Sequence, residues 1–189
     1  MALEGQDFDA ILVAAQAGGE WAFSSLYREF NPKLLRYFGS RAPAEADDLA
    51  AETWIGVARQ LRTFRGDETG FRAWLFTIAH RQLIQHWRKR SRRGQPEQTE
   101  GTALQEIPAP ENPEAVVVEG LTAQEAARRI AAALSNEQAE VVLLRVLGGL
   151  DVDEVAKILG KRPGSIRALQ HRALKKLVAQ KILPEGVTQ

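Results

Sequence analysis

No cysteine occurs anywhere in the 189 residues, and methionine occurs once. Thiol nucleophiles, disulfide staples and cysteine-based zinc fingers are thereby excluded as intrinsic devices, although the absence does not by itself assign a compartment. Long apolar runs are lacking too: none approaches the roughly 18 residues that suggest a membrane span. No membrane insertion is expected. The opening residues, Met1 to Asp7, lack a basic segment followed by an apolar core, so no secretory signal is visible and a cytoplasmic location is expected. Net charge is nearly absent, at +1. That balance argues against nucleic-acid binding only if the charges are evenly mixed.

They are not mixed. From Phe71 to Gln95 every charge is positive, carried by Arg72, Arg81, Arg88, Lys89, Arg90, Arg92 and Arg93. From Gly94 to Ala127 every charge is negative, from Glu97 through Glu125, and from Lys157 to Leu183 all are positive again. Two basic surfaces therefore flank an acidic connector. The connector also holds Pro96, Pro108, Pro110 and Pro113, a composition that cannot bury enough apolar surface to offset the entropy of ordering.

On either side, the apolar residues recur at helical spacing. Leu26, Phe30, Leu34 and Tyr37 form one stripe, Leu49, Trp54, Val57 and Leu61 a second, and Phe71, Trp74, Leu75 and Ile78 open a third. Breakers are read at Gly39 to Pro43 and at Gly66 to Gly70. Beyond the connector, Thr122 with Glu125, Ser135 with Gln138 and Asp151 with Glu154 match capping boxes, each predicting a helix start. Gly148 and Gly149 end the second of these helices, Gly160 ends the third, and Pro163 fits the first turn of a fourth. The expected architecture is all-α: two small helical domains, residues 1–93 and 119–189, joined by an acidic, Pro-containing linker over residues 94–118. The C-terminal domain is expected to be a four-helix unit containing a helix-turn-helix.

That motif rests on residues 150–166. A first helix would bury Val155, Ala156 and Leu159, the small Ala156 allowing close helix crossing, and Gly160 would allow the sharp turn. Ile166 would then anchor a second helix with Leu169, Ala173 and Leu177 inside. Its other face carries Ser165, Arg167, Ala168, His171 and Arg172, with Lys175 and Lys176 following. Such a face suits a major groove, the early residues reaching bases and the later cations meeting phosphates. Arg167 and Arg172 are the chief candidate base readers. In the first domain, residues 70–93 pass from an aromatic start to a cationic end, where Trp87 among arginines suits backbone contact and base stacking. A solvated basic face is the competing structural reading of each segment.

Taken in order, Asp47-Asp-Leu-Ala-Ala-Glu-Thr-Trp54, Phe64-Arg-Gly-Asp67, Phe71-Arg-Ala-Trp-Leu-Phe-Thr-Ile-Ala79 and Gly164-Ser-Ile-Arg-Ala-Leu-Gln-His-Arg-Ala-Leu174 resemble the extracytoplasmic-function class of bacterial RNA polymerase sigma factors. The resemblance spans about Phe23 to Val178. It implies that Asp47, Asp48 and Glu52 dock on the clamp helices of the largest polymerase subunit. It also implies that Phe64, Arg65, Gly66 and Asp67 line a pocket for a flipped minus-10 base, and that Arg81, Trp87, Arg88 and Arg90 hold the melting duplex. The recognition helix, with Ser165, Arg167, Ala168, His171, Arg172 and Lys175, would read the minus-35 element near the polymerase flap. The acidic linker would follow the RNA-exit path, and a separate anti-sigma factor would supply regulation. His80-Arg81 and Ala168-Leu169 depart from the family's usual residues and leave the promoter sequence open.

Two other classes compete. A stand-alone helix-turn-helix regulator would bind duplex tightly without polymerase. An enzyme would need Asp47, Asp48 and Glu52, or His80 and His86, as metal ligands. Histidines six apart do not share a helix face, and no nucleophile, phosphate loop or complete ligand set accompanies the carboxylates. Neither a catalytic role nor a cofactor nor a metal is expected.

Overall fold

The structure, a computed structural model, describes residues 8–92 and 122–182. The described residues are helical with no strand. In the N-terminal half the helices are α1 (Phe8–Gln16), α2 (Glu20–Arg41), α3 (Ala46–Gln60) and α4 (Glu68–Arg92). The C-terminal half holds α5 (Ala123–Ala133), α6 (Asn136–Val146), α7 (Val152–Leu159) and α8 (Pro163–Ala179). The Pro-containing linker expected over residues 94–118 lies outside the described residues.

Aromatic packing organises the first bundle. Phe71, fully buried on α4, has the rings of Phe8, Phe30, Phe64 and Trp74 around it at 5.2–5.7 Å between centroids. Burying each such side chain contributes about 1.5–3 kcal/mol, so this group ties α1, α2, α4 and the loop before α4 together. Helix α1 lies outside the stripes expected from sequence, yet it carries the same signal: Phe8, Ile11, Leu12 and Ala15 are buried at the spacing of one helical face. Two polar groups of this bundle find partners in its interior: Trp54 Nε1 donates to Asn31 Oδ1 at 3.1 Å and Thr53 Oγ1 to the Leu49 carbonyl at 2.7 Å.

Two of the expected breakers prove to be helical. Gly39 does not interrupt α2, which runs on to Arg41. It is buried, and a Cβ there would lie 2.6 Å from the Gln124 side chain, so its role is to admit α5. Gly70 likewise lies inside the first turn of α4, because Asp67 starts that helix by accepting from Gly70 N at 2.8 Å.

All three capping boxes form, with side chains and backbones reciprocating at Thr122, Ser135 and Asp151. Gly160 ends α7 in the left-handed region at φ +62°, and Pro163 occupies the first turn of α8. Val155 and Ala156 are buried as expected, but Leu159, at the end of α7, is only half-buried. The two halves also pack on each other, α5 against α2 and α7 against α4.

Candidate nucleic-acid and protein interfaces

The helix-turn-helix is built by α7, the Gly160 turn and α8. Lys161 N donates to the Ala156 carbonyl at 2.9 Å, closing α7, while Ser165 N and Ile166 N donate to the Arg162 carbonyl at 2.9 and 3.2 Å, opening α8. Ile166, Leu169, Ala173 and Leu177 then anchor α8 by one buried stripe. That stripe turns Ser165, Arg167, Ala168, His171, Arg172 and Lys175 outward, and all six are exposed. Arg172 Nε donates to the Ala168 carbonyl at 3.3 Å, which holds the guanidinium along the helix.

The loop before α4 is firmly held. Gln16 Nε2 donates to the carbonyls of Leu61 and Phe64 at 3.0 and 2.9 Å, and the Phe64 ring stacks on Trp74 at 4.9 Å. Gly66 adopts φ +154°, a conformation L side chains avoid, and a Cβ there would meet the Phe64 ring at 3.0 Å. Arg65 is exposed, its Nη1 bonded to the carbonyls of Arg62 and Phe64 at 3.0 and 2.6 Å. Phe64 and Asp67 thus shape the loop, and Arg65 is the side chain it presents.

Farther along α4, Arg81 and Arg88 are exposed. Trp87 is half-buried with the Arg41 guanidinium 5.0 Å from its ring centroid. Arg90 lies 3.5 Å and His86 3.8 Å from the Glu45 carboxylate. On α3, Asp47, Asp48 and Glu52 are exposed in the N-terminal part of the helix, where Asp47 and Asp48 complement the positive helix end. Asp48 and Glu52 line a shallow cleft shared with His86 and Lys89 of α4. Among the described residues, no three His, Asp or Glu side chains gather as metal ligands would.

One polar cluster lies beyond what sequence reasoning reaches. Glu140 of α6 is buried; its carboxylate accepts from Tyr37 Oη at 2.8 Å and Arg41 Nε at 2.9 Å, and lies 3.2 Å from His80 Nδ1. Burial alone would raise its pKa. The hydrogen bond from His80, the charges of Arg41 and His80, and the Tyr37 hydroxyl outweigh that, leaving Glu140 below the ordinary carboxylate value. Tyr37 moves the other way, raised well above 10.0 by burial and then by the Glu140 charge and hydrogen bond. The available signal is a lone glutamate inside the run Ala139-Glu-Val-Val-Leu-Leu144, a charge where a core stripe should be.

Comparison with known proteins adds the following. Residues 26–93 match the family model described as Sigma-70 region 2, and residues 124–177 the model described as Sigma-70, region 4. The ECF RNA polymerase sigma factor BldN of Streptomyces coelicolor is 37% identical over 176 residues, covering 90% of this chain. The chain spans 64% of that relative's length. ECF RNA polymerase sigma factor ShbA of Streptomyces griseus is 31% identical over 182 residues, 90% of this chain and 93% of the relative. Among solved structures, the sigma factor RpoE in complex with the anti-sigma factor NepR, from Bartonella quintana, superposes with TM-score 0.64 at 23% identity, covering 86% of this chain and 98% of that one. CnrH in complex with the cytosolic domain of CnrY gives 0.59 at 24% identity, covering 93% and 97%. These two likenesses are of fold.

Proposed function

This chain belongs to the extracytoplasmic-function class of RNA polymerase sigma factors, and from that premise we propose how it directs core polymerase to promoters and helps open them. Asp47, Asp48 and Glu52 dock on the clamp helices of the largest subunit, their exposure on one helix leaving the carboxylates free for a basic partner. The C-terminal half lies near the flap and reads the minus-35 element through Ser165, Arg167, Ala168, His171, Arg172 and Lys175. The loop carrying Phe64, Arg65, Gly66 and Asp67 receives a flipped minus-10 base, and Arg81, Trp87, Arg88 and Arg90 hold the separating strands. Unstacking a base costs a few kcal/mol, which binding contacts must offset because no nucleotide hydrolysis is involved.

The observation that carries this reading is the outward face of α8, six exposed residues held by one buried stripe, in the same chain as a held loop and a basic helix. The domains on this reading are residues 1–93 and 119–189, with a linker at 94–118. The chain acts in the cytoplasm, performs no catalysis of its own and answers to an anti-sigma factor. Among the described residues no helix is long and apolar enough to cross a membrane.

Run-off transcription with purified core polymerase tests it. Specific transcripts are expected only when the protein is present. Tight duplex binding with no core binding would replace this reading by a stand-alone regulator.

A further inference from the structure

The outward face of α8 carries six exposed residues, and five of them end in polar groups. Ala168 is the exception. It lies one turn after Ser165 and one turn before Arg172, and its methyl group is turned away from the buried stripe of Ile166, Leu169, Ala173 and Leu177. Side chains on a helix lean toward its N-terminus, and residues four apart share a face. Arg172 follows that rule: its Nε donates to the Ala168 carbonyl at 3.3 Å, which lays the guanidinium beside the alanine. The small side chain at 168 leaves the space that this path needs.

We propose that Ala168 is a specificity-determining residue: it selects a thymine in the minus-35 element by that base's C5 methyl, within two base pairs of the base met by Arg172. The inference rests on the sigma-factor reading, in which α8 enters the major groove. Of the base edges displayed there, only thymine offers a methyl group; the rest of the display is hydrogen-bond donors and acceptors. An alanine methyl has no hydrogen bond to return. Set against the amino group of cytosine or adenine, or against a guanine oxygen, it strips water from a polar atom without replacing the bond. Set against the thymine methyl, it buries apolar surface on both sides.

The interval between the two bases follows from helix geometry. Residues 168 and 172 lie about 6 Å apart along the helix axis, and stacked base pairs are about 3.4 Å apart. The backward path of Arg172 shortens the distance further. An exposed alanine also suits a helix for its backbone propensity alone. The two roles separate by experiment, because propensity is blind to the bases.

The full-length protein is assembled with core polymerase, and a promoter is recovered by sequencing the transcripts that this holoenzyme makes from genomic DNA. Each thymine of the minus-35 element, on either strand, is then replaced in turn by deoxyuridine, which removes only the C5 methyl. At one position the affinity of the holoenzyme is expected to fall about fourfold, the equivalent of one buried methyl group. The same replacement should leave the affinity of Ala168→Gly holoenzyme unchanged. The thymine-to-uracil ratio is the readout, since a weakened helix lowers binding to both promoters alike. Ala168→Asn should move the preferred base at that position from thymine to adenine, whose edge matches an amide. A minus-35 element without thymine, a parent protein indifferent to every replacement, or a ratio that persists in Ala168→Gly would overturn the assignment. Failure of the sigma-factor reading looks different: the protein does not bind core polymerase and no promoter is recovered.

Discussion

Arg172 illustrates what one residue contributes to recognition. Its guanidinium is exposed on α8, outside the buried stripe, and its Nε bond to the Ala168 carbonyl limits its directions. If it pairs with a guanine, Arg172→Ala should cost about 1–3 kcal/mol at one base pair. Binding of holoenzyme to a panel of minus-35 variants measures this, and equal loss on every variant assigns a phosphate role instead. Trp87→Ala should impair promoter opening more than polymerase binding. Permanganate reactivity of unpaired thymines reads it, normal opening being the contrary result.

Helix ends set the element scale. The box between Asp151 and Glu154 satisfies free backbone donors at the start of α7, with Glu154 N to Asp151 Oδ1 at 2.8 Å and Asp151 N to Glu154 Oε2 at 2.7 Å. Asp151→Ala should therefore destabilise the protein by about 1 kcal/mol. Gly160 ends the same helix at φ +62°, and a Cβ placed there would have nothing within 4 Å, so Gly160→Ala meets backbone strain without a clash. About 1 kcal/mol is expected there as well. Urea unfolding followed by far-UV circular dichroism measures both. A loss near zero at Gly160 would mean that the turn relaxes.

The whole molecule should respond to pH through the cluster around Glu140. Glu140 has a lowered pKa when folded, so its contribution to stability is present above the ordinary carboxylate value and is lost as pH falls through the lowered one. Tyr37 is raised, so its contribution holds below the ordinary phenol value and is lost as pH rises toward the raised one. The urea midpoint should accordingly fall at both extremes, and Glu140→Gln should flatten the acid limb. An unchanged acid limb in that variant would place the responsible carboxylate elsewhere.

Sequence alone determined the local elements. Capping boxes, the Gly160 turn and the stripe of Ile166, Leu169, Ala173 and Leu177 involve residues a few positions apart, where backbone geometry dictates who meets whom. The exposed face of α8 followed from that stripe, and the segregated charges marked the basic helix, whereas Asp47, Asp48 and Glu52 of α3 were singled out by the family resemblance. Gly39 reads as a breaker because a glycine that ends a helix and one that admits a neighbouring helix look alike until the neighbour is placed. Tertiary structure alone decided that Phe64 stacks on Trp74, and that Glu140 meets Tyr37, Arg41 and His80 across separations of 60 to 103 residues. Periodicity reports which face of a helix is covered; only packing reports what covers it, and whether a buried charge has found its partner.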